Sequence, residues 1–271
     1  MRGLHGSEAT MIRITANSTM RYGFDRWAQA PLVQGVFTRL GGVSAAPYAS
    51  LNVGRTVGDD PACVEANHRT VYDALGIPPE MVVTAQQVHG AQVRVVSAAD
   101  GEKVLPATDA LITNTPGLSL LLRVADCVPV FFYAPHQRAI GLAHAGWQGT
   151  LRGITVLTAQ AMMSAFGCTP DDLQVGLGPA IGPCCFEVGP EIVAQVRAQF
   201  ADPEPLLSNH QTNGKAHLNL WQANIQSLHA LGIQQIEMSG LCTACHLDEF
   251  YSHRAERGRT GRLAAVIGLR P

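Results

Sequence analysis

The chain has 271 residues, 46% apolar and 15% charged, with a formal net charge of −2. That length suits one large domain or two small ones. The near-neutral balance, with no basic stripe and no acidic tail, excludes an electrostatic nucleic-acid binder and a disordered chain. The longest apolar runs, Leu118 to Leu122 and Val128 to Tyr133, are far too short to cross a bilayer, so neither nucleic acid nor membrane is expected as a partner.

In chain order, residues 1–20 lack periodicity and any apolar signal core. They are read as a tag or non-native leader outside the fold, and residues 21–271 as a single catalytic domain. Pro61 to Leu75 carries apolar residues at helical spacing and stops at Gly76. Short apolar runs then predict strands over Met81 to Ala85, Gln92 to Val96, Ala110 to Thr113, Leu118 to Val124, Val128 to Tyr133 and Ala139 to Ala143. A helix is expected from Thr150 to Phe166, closed by Gly167, and a strand from Leu173 to Leu177. Pro190 to Phe200 opens a helix with a first-turn proline. Leu218 to Leu231 gives the last helix, followed by strands at Gln235 to Met238 and Leu263 to Ile267. Runs as continuously apolar as Leu118 to Val124 predict a sheet covered on both faces. With no linker and no repeat beyond residue 30, the reading is one α/β domain.

Three side chains carry the chemistry: His89 in Gln-Val-His-Gly, Cys127 in Ala-Asp-Cys and His144 in Ala-His-Ala-Gly-Trp. Each sits where an expected strand hands over to a loop, the usual place to build a site. Two imidazoles and a thiolate make an open metal site, since tetrahedral zinc with three protein ligands keeps a fourth position for water or substrate. The separations of 38 and 17 residues are not a local finger pattern, so spacing alone leaves convergence open.

The ordered string Phe37-Thr-Arg-Leu-Gly-Gly-Val-Ser44, Ser50-Leu-Asn-Val-Gly54, Gly58-Asp-Asp60, Gln87-Val-His-Gly90, Ala125-Asp-Cys-Val-Pro129, Ala143-His-Ala-Gly-Trp147, Gly178-Pro-Ala-Ile-Gly182 and Phe250-Tyr-Ser-His-Arg254 resembles the YfiH family. That family is also called the polyphenol oxidase or multicopper-laccase-like family, and FAMIN is its human relative. The resemblance runs from about Val33 to the C-terminus. It implies a mixed-sheet, layered α/β domain of the YfiH type, with zinc (or copper) held by the catalytic residues His89, Cys127 and His144. It also implies purine nucleoside substrates: phosphorolysis of adenosine, inosine and methylthioadenosine, and deamination of adenosine. Zinc in an open site makes hydroxide available at neutral pH, as attack at purine C6 requires. Arg39, Asn52 and Arg254 are expected to supply polar contacts to nucleoside or phosphate, and Trp147 a face for the purine ring. Members of the family carry a basic residue after Ala-Gly-Trp, where this chain has Gln148. An amide offers a phosphate no charge, so the departure implies either weaker phosphorolysis or another arginine, such as Arg123 or Arg152, in that duty.

Other signals point less sharply. Seven cysteines, an odd number, argue against a disulfide framework and for a reducing, cytoplasmic location. Cys242-Thr-Ala-Cys-His246 matches a haem c pattern, but no export signal supports it. Cys184-Cys185 is adjacent rather than spaced, so a second zinc is not expected there; both pairs are assigned to packing or a substrate-side wall. Glu187 is a candidate acid or base, His253 a candidate lining residue, and His68, His217 and His229 are read as surface or cap residues. Three rival functions remain: copper-dependent, laccase-like oxidation of phenols; a cysteine hydrolase with Cys127 as nucleophile; and a metal-stabilised peptidoglycan-precursor editing factor. A trinuclear copper cluster needs paired histidines, and the chain has no His-x-His.

Overall fold

The computed structural model describes residues 11–271. Its strands are β1 (Met11–Ala16), β2 (Thr19–Phe24), β3 (Leu32–Phe37), β4 (Val82–Ala85), β5 (Val93–Val95), β6 (Val104–Leu105), β7 (Ala110–Thr113), β8 (Ser119–Val124), β9 (Val128–Ala134), β10 (Ala139–Ala145), β11 (Gln174–Leu177), β12 (Glu187–Val188), β13 (Leu207–Ser208), β14 (Ala216–Leu218), β15 (Gln235–Met238) and β16 (Leu263–Leu269). Five α-helices join them: α1 (Pro61–Leu75), α2 (Trp147–Leu151), α3 (Ile154–Phe166), α4 (Pro190–Gln199) and α5 (Leu220–Ala230). A seven-stranded sheet runs β1-β2-β3-β16-β8-β4-β6, a six-stranded sheet runs β15-β11-β9-β10-β7-β5, and β12-β14-β13 form a small third one. Both large sheets are mixed, with parallel pairs β4–β8 and β11–β15 beside antiparallel neighbours.

The apolar runs are continuous because each serves two buried layers at once. Leu120 and Leu122 join Phe131, Tyr133 and Leu142 in the core between the two sheets, while Leu121 faces the other way against Val71 and Leu75 of α1. Val130 and Phe132 alternate similarly, packing outward against Met162 of α3 and Leu228 of α5. The period-two alternation of a strand thus builds four layers, helix–sheet–sheet–helix. Among the described residues, no helix is long and apolar enough to cross a membrane.

Three expectations need correction. Residues 11–20 do not stand outside the fold: β1 pairs along its whole length with β2, turning at Asn17 in the left-handed region (φ 54°). β1 is an edge strand that buries only Met11, so the alternation of Ile12, Ile14 and Ala16 with Arg13 and Thr15 marks no core face. Residues 1–10, the rest of the proposed leader, lie outside the described residues. The helix expected over Thr150 to Phe166 is two helices, α2 and α3, divided at Gly153 with φ 73°, a conformation glycine adopts without steric cost. His68 is not a surface residue: it is 1% exposed, with its ring nitrogens on the Val53 carbonyl (3.1 Å) and the Tyr72 hydroxyl (3.2 Å). Burial holds its pKa down to about 4.

Candidate metal centre and its cavity

His89, Cys127 and His144 come together, their ligand atoms all within 4.8 Å of one another. Each arrives by a different route. His89 sits in the turn between β4 and β5 with φ 56°, Cys127 immediately precedes β9, and His144 is the penultimate residue of β10. β9 and β10 pair in antiparallel register with Ala145 opposite Val128, which sets the thiol beside the imidazole. The two imidazole rings lie edge to face with centroids 4.9 Å apart. Gly146 completes the close approach, since a Cβ there would stand 2.8 Å from Cys127 Sγ and 3.1 Å from His89 Cδ2.

Asp109 organises both histidines. It is 0% exposed, and its Oδ1 accepts from His144 Nδ1 at 2.9 Å. That bond leaves His144 Nε2 for the centre. The same carboxylate accepts the backbone N–H groups of Val88 (3.1 Å), His89 (3.0 Å) and Gly90 (2.8 Å), pinning the turn that presents the other imidazole. Sequence reasoning missed Asp109. Its signal was a lone acid heading the apolar strand Ala110–Thr113, where a buried carboxylate must collect donors.

The electrostatics follow from this packing. Burial pushes the Cys127 thiol up, but hydrogen bonds and charge from His144 and His89 overcome it and bring the pKa down to about 6. Burial likewise opposes the charge on His144, yet Cys127 and Asp109 raise it to about 9. Without an ion the pair is a thiolate and an imidazolium.

The group lines a cavity of about 680 Å³ whose other walls include Trp147, Phe186, Ile181, Asp126 and His253. Four arginines, Arg55, Arg123, Arg254 and Arg262, line it against one carboxylate, Asp126. Arg254, Trp147 and His253 line the cavity. Asp126 (φ 86°) accepts from Thr243 Oγ1 (2.7 Å) and from the Arg254 backbone N–H (2.6 Å), anchoring the C-terminal segment to the residue beside Cys127.

Arg39 and Asn52 are not among the lining residues. The Arg39 guanidinium donates to the Ala49 and Leu247 carbonyls, pairs with Glu256 at 3.2 Å and stacks over Tyr251. Asn52 is 0% exposed; its Oδ1 accepts from Gly54 N and Arg262 N, both at 2.8 Å. It works one layer behind the cavity, placing Arg262. Gln148 and Arg152 line a separate groove, and Arg152 donates to the His89 carbonyl at 2.9 Å. Glu187 pairs with Lys215 at 2.7 Å and with Gln211 rather than entering the cavity. Cys184, Cys185, Cys242 and Cys245, read from sequence as unrelated pairs, form a second cluster.

The mixed α/β domain thus places a His–Cys–His group whose donor atoms could hold a metal ion in a cavity lined by four arginines. The chain belongs to the multi-copper polyphenol oxidoreductase laccase family, whose model matches residues 33–270. It is 39% identical over 264 residues to purine nucleoside phosphorylase YlmD of Geobacillus stearothermophilus, covering 94% of this chain and 96% of that protein. The crystal structure of YlmD from the same organism superposes with a TM-score of 0.90 at 38% identity, over 95% of this chain and 98% of that one. Bacillus licheniformis YfiH superposes with a TM-score of 0.88 at 36% identity, over 94% and 97%. These neighbours share the mixed α/β architecture expected from sequence.

Proposed function

We propose that this chain is a zinc-dependent purine nucleoside enzyme, cleaving adenosine, inosine and methylthioadenosine by phosphorolysis and deaminating adenosine. One observation carries the reading. Arg123 and Arg262 line the same cavity as the three-donor centre, and neither has a carboxylate partner among the described residues. Burial lowers the pKa of both guanidinium groups, Arg123 to about 10, so each remains charged at neutral pH. Cations held out of water with no ion-paired carboxylate, Arg262 feeling only the charges of Cys127 and Asp126 nearby, favour an anion in the cavity, and phosphate fits. Relatives named purine nucleoside phosphorylase support the same class.

The donor set fits zinc: one thiolate and two neutral imidazoles, with His144 oriented by a carboxylate behind it. His89, Cys127 and His144 would hold the ion, which when bound supplies Lewis acidity and an activated water. The remaining work falls to the chain. Arg123 and Arg262, helped by Arg55 and Arg254, draw in phosphate and hold it. Trp147 and Phe186 offer aromatic faces to the purine. Asn52 fixes the Arg262 backbone, and Asp126 fixes that of Arg254.

Zinc-loaded protein incubated with each nucleoside, with and without phosphate, tests the proposal. Free base that appears only with phosphate, and inosine formed from adenosine without it, are the expected results. A folded, metal-loaded protein inert on every purine nucleoside would overturn it.

One geometric feature favours a second reading. Cys127 Sγ lies within 4.8 Å of a His144 ring nitrogen, and His144 in turn donates to Asp109, the order of a thiol hydrolase. Alkylation decides between them: protection of Cys127 that is lost on chelation supports the metal, and equal labelling with and without chelator supports the nucleophile. The family description points to copper, for which His and Cys donors also suffice. Among the described residues only two groups gather three or more donors for an ion, and neither supplies the histidines of a trinuclear cluster. Metal analysis of protein made without added copper tests that reading.

A further inference from the structure

Two short turns meet beneath the wall of the cavity. Cys184-Cys185 follows Gly182 in one, and Cys242-Thr-Ala-Cys245 forms the other. The turns are joined by backbone: Ala180 N donates to the Leu241 carbonyl (3.2 Å), and Thr243 N to the Ala180 carbonyl (3.0 Å). The four sulfurs all lie within 4.8 Å of one another, with Cys245 Sγ 3.5 Å from both Cys184 Sγ and Cys185 Sγ. The Gly182 N–H donates to Cys242 Sγ at 3.2 Å, and a Cβ on Gly182 would stand 3.2 Å from Cys184 Sγ.

We propose that Cys184, Cys185, Cys242 and Cys245 form a second, closed metal site that holds one zinc ion in a tetrathiolate tetrahedron. Zinc–sulfur bonds near 2.3 Å give a tetrahedron with edges of about 3.8 Å, matching the observed spacing. A disulfide needs sulfurs at about 2.05 Å, far inside it. Each turn contributes two donors, so the site needs only two local chelating pairs brought together by the Ala180–Cys242 bridge. An iron–sulfur cluster places irons and bridging sulfides between its thiolates, which so small a tetrahedron does not admit. Four thiolates fill the coordination of zinc, so this site takes no reactant.

Its position gives it a role. Phe186, next to Cys185, lines the cavity, and Thr243, next to Cys242, donates to Asp126 beside Cys127. The ion would staple both turns and so hold one wall of the open cavity in place. Neither the site nor this role depends on which reaction the cavity performs.

The test is a metal count on full-length protein purified under reductant. Wild type is expected to carry two zinc ions per chain, and a His89→Ala/His144→Ala variant one. Zinc X-ray absorption on that variant should show four sulfurs near 2.3 Å, as expected of a tetrathiolate. Cys184→Ser/Cys245→Ser in the otherwise native chain should lower the count from two to one; if it does not fold, the first two measurements still decide. One zinc in wild type and none in the histidine variant would overturn the proposal. So would iron with sulfide, or a disulfide from Cys245 to Cys184 or Cys185 in the reductant-purified protein.

Discussion

The molecule gathers thiols in two places and holds them in different ways. At the open centre the donors come from one turn and two strand ends distant in sequence, so separate devices place them: the β9–β10 register, the glycine at 146, and the buried Asp109 that grips one ring and the backbone beneath the other. At the four-cysteine cluster the donors come from two turns, each bringing two, and the backing is a backbone N–H and a glycine. A three-donor site must be pre-organised because it keeps a corner free for chemistry. A four-donor site can let the ion do the organising.

The largest expected effect separates the two. Replacing Cys127 by Ser or His144 by Ala should remove the metal from the open centre and cut turnover on the order of a thousandfold or more, the several kcal/mol a catalytic ion supplies. The four-cysteine cluster should keep its zinc, so metal analysis beside activity tells site-specific loss from general unfolding. Loss of both ions from either variant would break the comparison. Next in size is Asp109→Asn. The amide still fills the space, but it cannot accept from His144 and three backbone groups as a carboxylate does. Metal affinity or activity should fall about 10–100-fold, as for other carboxylates behind a metal-bound histidine, with little change in far-UV dichroism.

The sequence carried the donors but not their support. His89, Cys127 and His144 were legible because each sits between an apolar run and a turn residue, and the central strands because alternating faces are both buried. Asp109 left only a single polar letter at the head of a strand. Arg39 and Asn52 show the reverse error: polar residues in turn-rich motifs look like ligand contacts until their partners are seen to be backbone carbonyls and amides. The cysteine cluster was illegible because its two pairs are 57 residues apart from Cys185 to Cys242 and meet only through the Ala180–Cys242 bridge. β1 was missed because its short alternation of Ile12, Ile14 and Ala16 with Arg13 and Thr15 marks no buried face, and the break at Gly153 because helical apolar spacing continues across it.

Proton counting sharpens the contrast further. Burial raises the Cys127 pKa, but His144 and His89 outweigh it and bring it to about 6, while Cys127 and Asp109 hold His144 at about 9. Between these values the metal-free centre is already a thiolate beside an imidazolium. Zinc uptake near pH 7.5 should therefore release about one proton, from His144 rather than Cys127. The release should rise as pH drops through about 6 and fade above about 9. The ion pair also stabilises the metal-free fold within that window. The Cys127 contribution is lost as pH falls through about 6, and the His144 contribution as pH rises through about 9. Calorimetry of zinc binding in buffers of different ionisation enthalpy measures the count, and a value of two near neutrality would show that the thiol starts protonated.

The smallest effect tests the link between the two places. Thr243 follows Cys242, and its hydroxyl donates to Asp126 Oδ1, leaving the Arg254 N–H as the donor to Oδ2. Thr243→Val keeps the shape and removes that donor, stranding one oxygen of a carboxylate that is 8% exposed. The cost should be about 1–3 kcal/mol in stability, that of a buried acceptor left unpaired. Asp126 flanks Cys127 and carries the Arg254 backbone, so the variant should also weaken phosphate binding several-fold while both metal ions remain. A loss of thermal stability with an unchanged phosphate KM would mean that the cysteine cluster steadies the fold without steadying the cavity, and the two thiol centres would then be independent.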